Sequence, residues 1–133
     1  MSQEARSTSH TGAMRTEISE GLVSLLKDFY GVGPTQAKTY YMDDLVVCLL
    51  RGGFTRVEQT LLEGGRATAV IEQRMAFQDV MRPRFIEVIE RATGQQVVGF
   101  MSGNQQDPDM ICEIFVLLPT DLVREGEAPT ADT

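Results

Sequence analysis

The chain has 133 residues, of which 42% are hydrophobic and 23% charged, a size and composition that fit one soluble domain around one core. Its longest apolar runs fall well short of the roughly 20 residues a membrane helix needs, and the first 15 residues lack the apolar centre of a signal peptide, so a cytoplasmic location is expected. The net charge of −7 divides as +1 over residues 1–15, −5 over residues 16–119 and −3 over residues 120–133; an acidic body works against release of counterions from phosphates, and no nucleic-acid partner is expected.

Residues 1–15 are rich in Ser, Thr, Gln and Gly and read as a disordered tail, which places His10, the one histidine, outside the expected fold. A single α+β domain is expected over residues 16–119. Its first helix is expected to start at Thr16, a residue that can cap free backbone N–H groups, with Glu17 and Glu20 suited to the positive end of the helix dipole. Ile18, Leu22, Leu25, Leu26 and Phe29 recur at spacings of three and four and form one sticky face. Gly31 stops this helix and Pro34 prevents its resumption. The run Gly31-Val32-Gly33-Pro34 follows a helix and carries a proline where a donor N–H would be useful, so it reads as a helix-ending turn rather than a phosphate cradle.

Residues 37–42 and 45–50 are strand-like, with Asp43-Asp44 as the hairpin turn between them. Neighbouring carboxylates in an extended chain point to opposite faces, which argues against an acid/base pair or a cation site at these aspartates. In the second strand both faces are apolar, with Leu45, Val47 and Leu49 on one side and Val46, Cys48 and Leu50 on the other. A domain this small has few helices with which to cover both, and a homodimer is expected on that ground.

Beyond Gly52-Gly53, Thr55 and Glu58 have the spacing of a capping box that opens a short helix, with Leu61 and Leu62 facing the core and Gly64-Gly65 ending it. A longer helical segment follows over residues 66–93, with Val70, Phe77, Met81, Phe85, Val88 and Ala92 near one stripe and Pro83 expected to kink or split it near Arg82. Its arginines, Arg66, Arg74, Arg82, Arg84 and Arg91, alternate with acids and read as a solvated face. Gly94 closes the segment. Residues 95–102 and 110–118 form a second expected hairpin across a polar loop of residues 103–109, with Cys112, Ile114, Val116 and Leu118 as the core face of the last strand. The acidic residues 120–133 read as a second disordered tail.

The expected architecture is therefore a two-layer sandwich in the order α-β-β-α-α-β-β, with a mainly antiparallel four-stranded sheet against helices. Cys48 and Cys112, set in apolar strands, read as small buried hydrophobes rather than a disulfide or a zinc site. No catalytic, cofactor-binding or metal-binding residue is assigned, and no cofactor is expected. The leading expectation is a non-catalytic interaction or accessory protein, with a small-molecule-sensing regulatory domain as the alternative. Arg82, Arg84, Asn104 and Gln105 are the expected exposed contacts for a protein partner.

Several blocks together resemble the MpsC-like family of bacterial domains: Gly33-Pro34, Asp43-Asp44 followed by Leu45-Val46-Val47, Gly53-Phe54-Thr55 through Glu58 to Leu61, Arg82-Pro83, Thr93-Gly94 with Val97-Val98, and Glu113-Ile114-Phe115-Val116-Leu117. The family is named from a membrane-potential-generating system whose other components resemble an ion-transporting membrane subunit and a soluble subunit linked to inorganic carbon uptake. The resemblance implies an accessory role and a membrane transport component as partner, and supplies no catalytic residues. This sequence departs from the family pattern at Val32, where a basic residue is common, and at Met101-Ser102-Gly103, in place of a His-Ser-Asp stretch.

Overall fold

A computed structural model describes residues 3–119, with side-chain surroundings given from Thr11 onward. The expected C-terminal tail at residues 120–133 and the side chain of His10 lie outside the described residues. The elements run α1 (Gln3–Tyr30), β1 (Gln36–Met42), β2 (Leu45–Arg51), α2 (Arg56–Glu63), α3 (Ala67–Thr93), β3 (Val97–Gln106) and β4 (Asp109–Leu117), the expected order. The four strands form one antiparallel sheet in the order β1-β2-β4-β3, with α1 packed against β1 and α3 against β3.

Local chemistry explains most element ends. Thr55 accepts a hydrogen bond from the Glu58 N–H at 3.0 Å while the Glu58 carboxylate accepts from the Thr55 N–H at 2.9 Å, so both halves of the capping box are made. Gly94 ends α3 at φ 72°, and its N–H bonds the Glu90 carbonyl at 2.8 Å. Asp43 turns the first hairpin at φ 56°, a conformation that Asp tolerates better than most residues.

Four features differ from the sequence reading. Helix α1 begins at Gln3, so Thr16 is an interior residue and residues 3–15, expected in a tail, are helical. Of the two outcomes expected at Pro83, a kink or a split, the split does not occur: α3 runs unbroken from Ala67 to Thr93. Residues 103–106, expected in a loop, belong to β3, and the second hairpin turns at Asp107-Pro108 instead. In β4 the core face is Ile111, Glu113, Phe115 and Leu117, whereas Cys112, Ile114 and Val116 stand on the opposite face. The register decides this last point, because Phe115 pairs with Val46 and Phe100, both buried.

The core lies between the sheet and the helices. Ile18, Leu22 and Leu26 of α1 and Met81, Phe85 and Ile89 of α3 meet Val46, Cys48 and Leu50 of β2 and Phe115 and Leu117 of β4. Gly21 lets the two long helices approach, since a Cβ there would come within 2.8 Å of Val88 Cγ1. Phe85, Phe100 and Phe115 stack in series, with ring centroids 6.2 and 5.1 Å apart.

Candidate interaction face

Register divides the sheet into rows that cross all four strands. On the helix-covered side one row is Thr39, Cys48, Glu113 and Ser102, and the next is Tyr41, Val46, Phe115 and Phe100. The first of these is a polar line laid through an apolar core. Ser19 of α1 shares a 2.7 Å hydrogen bond with Thr39 at one end, and Gln78 of α3 donates to the Glu113 carboxylate at 3.0 Å near the other. Thr39 in turn donates to the Cys48 sulfur at 3.4 Å.

Burial dominates the electrostatics of that line. Glu113 is fully buried, and desolvation pushes its pKa up to about 7 despite the Ser102 and Gln78 groups that favour the charged form. Desolvation likewise lifts the Cys48 thiol to about 11, and Cys112 is raised for the same reason. At neutral pH both thiols hold their protons, which makes them poor nucleophiles. Being on opposite faces of the sheet, they are free cysteines and cannot pair within the chain.

A second polar group ties the far end of the core together. Arg74, expected on a solvated face, is 2% exposed; its Nε and Nη2 bond both oxygens of the fully buried Glu58, at 2.9 and 3.2 Å, and its Nη1 bonds Asp109 at 2.8 Å. The Tyr30 hydroxyl donates to Glu58 and accepts from Gln73, and the Phe54 ring lies 4.5 Å from the guanidinium. Burial alone would raise the Glu58 pKa, but the bonds from Arg74, Tyr30 and the Thr55 backbone outweigh it and lower it. Burial alone would lower that of Arg74, and its two carboxylate partners raise it. This arrangement is an ionised clamp joining α1, α2, α3 and β4.

Among the described residues, no helix lies on the opposite side of the sheet. Its rows are Gln36, Arg51, Met110 and Gln105; Lys38, Leu49, Cys112 and Gly103; Tyr40, Val47, Ile114 and Met101; and Met42, Leu45, Val116 and Gly99. Tyr40 is 49% exposed, Met101 56% and Met42 66%, while Val47, Ile114 and Val116 are half-buried between them. These rows contain no acidic residue, although the chain carries −7. Their charges, Lys38 and Arg51, lie toward one end, and the Asp43-Asp44 turn lies at the other.

The four expected contact residues are not brought together. Arg82 donates to the Phe100 carbonyl at 3.3 Å and covers the Phe100 ring, whereas Arg84 covers Phe29 of α1. Asn104 stands on the core side of β3 with its Oδ1 buried, and Gln105 stands on the open side, bonding the Pro108 carbonyl at 3.3 Å. Sequence reasoning found the doubly apolar β2 but missed that β4 continues the open face, a signal present in the alternation of Cys112, Ile114 and Val116. The grooves beside α1 and β1, one of them lined by Arg15, Ser19, Lys38 and Thr39, are open to solvent and lie away from α3. Among the described residues no group of three or more His, Cys, Asp or Glu side chains could hold a metal ion, and no helix is long and apolar enough to cross a membrane.

The family model described as Na+-translocating membrane potential-generating system (MpsC) matches residues 10–118, and the chain belongs to that family. Neither a curated protein nor a solved structure matches it.

Proposed function

We propose that this member of the MpsC family is a non-catalytic accessory component of a Na+-translocating membrane-potential-generating system, working in the cytoplasm by association with other polypeptides. The observation that carries this reading is the bare sheet face: Tyr40, Val47, Ile114 and Met101 make one continuous apolar row across four strands. Soluble proteins rarely leave contiguous apolar patches beyond a few hundred Å² without a partner. The buried ionisable groups support the same reading, because Glu58, Arg74 and Glu113 are enclosed in the core and engaged by neighbouring side chains.

The test is genetic and electrical. Cells of the source organism lacking the chain are complemented with the wild type or with Ile114→Asp, and the Na+-dependent membrane potential of vesicles from each is followed with a voltage-sensitive dye. The reading expects loss without the chain, rescue by the wild type and failure of the face variant. Full rescue by Ile114→Asp, or turnover of a substrate by the purified chain, overturns it.

A further inference from the structure

The identity of what covers the bare face follows from its size, its charge and its ends. With strands about 4.8 Å apart and about 3.3 Å per residue, four strands paired over seven residues present about 450 Å² in projection. Two such faces pressed together bury about 900 Å², close to the roughly 1,000 Å² threshold of a specific interface and in the range of weak, reversible rather than permanent dimers.

The charge pattern selects the partner. A generic acidic or basic protein gains little from a surface whose four rows hold no acid and only Lys38 and Arg51 as bases. Residues 120–133 of the same chain, with four acids, one base and few apolar side chains, lack the material to cover Val47, Ile114 and Met101. A second copy has what fits: an equally apolar face and, at its far end, the exposed Asp43 beside Asp44.

Two orientations keep two-fold symmetry with the sheets face to face. An axis along the strands would bring like ends together, Arg51 near Arg51 and Asp43 near Asp43. An axis across the strands reverses them, so that the Lys38 and Arg51 end of each copy meets the Asp43-Asp44 turn of the other, giving two opposite-charge contacts at the rim. Aligned sheets pack about 30° from parallel, a rotation that leaves this pairing of ends intact.

We propose that the open sheet face is the interface of a homodimer whose two-fold axis lies between the sheets and across the strands, with Lys38 and Arg51 of each copy against the Asp43-Asp44 turn of the other. This rests on the associative reading above and names the partner at that face. The helical layers of both copies then point outward, and Cys112, on the open face, becomes enclosed while Cys48 already lies in the core.

Sedimentation velocity of the full chain over a concentration series tests the interface. The expected result is a shift from 14.7 kDa toward twice that mass, with a dissociation constant of micromolar order for a face this small, and slower alkylation of Cys112 as the dimer forms. The exposed pair Tyr40→Asp and Met101→Asp should give a monomer with unchanged circular dichroism. Arg51→Glu alone should weaken the dimer about tenfold, and adding Asp44→Lys to it should restore most of the loss. Wild-type chain that stays at the monomer mass throughout overturns the proposal, as does a dimer indifferent to the face substitutions. A dimer abolished by the face pair but not rescued by the charge exchange refutes the axis. A monomeric wild type whose Ile114→Asp variant still fails to restore the membrane potential would sink the dimer and leave the associative reading standing.

Discussion

Replacing Glu113 by Gln should make the protein more stable at neutral and alkaline pH, and the size of the gain follows from where the carboxyl sits. In the folded chain it is fully buried between β4 and α3, and its pKa rises from 4.5 to about 7. At 1.36 kcal/mol per pH unit that difference corresponds to about 3 kcal/mol. The folded state holds a proton that the unfolded chain has already released above pH 4.5, so this contribution is fully present below that pH. It is lost as pH rises through about 7 and stays lost above. Glutamine imitates the neutral acid and can still accept from Gln78 Nε2, so it removes the pH dependence without opening a cavity. Urea unfolding of both proteins across pH should show equal stability below pH 4.5 and a gap widening to about 3 kcal/mol above about pH 7. A wild-type chain whose stability relative to Glu113→Gln is flat with pH would refute the argument, and would mean that Ser102 and Gln78 offset burial completely.

Further substitutions probe other parts of the same core. Arg74→Met strands the buried Glu58 carboxylate and should cost about 3–5 kcal/mol by chemical denaturation, with Arg74→Lys recovering only part because it cannot span both Glu58 oxygens. Thr55→Ala removes one half of the capping box and should cost about 1 kcal/mol in the same assay. Phe115→Ala, emptying the centre of the aromatic series, should cost about 3–5 kcal/mol and broaden the near-ultraviolet signal of the remaining rings. Arg82→Ala should lower the melting temperature by the equivalent of about 1 kcal/mol, since the guanidinium covers Phe100 and bonds its carbonyl.

What could be read from the chain is what neighbours in sequence decide. The capping box, the glycine stops at Gly31 and Gly94 and the Asp43-Asp44 turn each depend on a few adjacent residues, and all are present. The apolar spacing in α1 likewise located Ile18, Leu22 and Leu26 in the core. The misplacements come from polar residues whose partners lie far away. Glu113 in an apolar strand looks like a solvent-facing position, and it is the pairing of Phe115 with Val46 and Phe100 that turns it inward, where Gln78, 35 residues distant, donates to it. Arg74 has the spacing of a solvated arginine until Glu58 and Asp109, 16 and 35 residues away, are folded onto it. The polar residues 103–106 have loop composition but pair with 109–112, because an edge strand needs apolar side chains on one face at most. The open face was half visible, through β2 alone, since recognising it as a surface required knowing which side of β4 turns toward the helices.

The strand order carries a kinetic consequence. β1 with β2 and β3 with β4 are hairpins whose ends are close along the chain, so each can zip after a small loss of loop entropy. The seam between β2 and β4 joins Val47 to Ile114 across both α2 and α3, and that closure is by far the most demanding. Docking the two ribbons along this seam should therefore govern the rate at which the native protein appears, and truncating side chains on it should slow refolding more than truncating equally buried ones elsewhere.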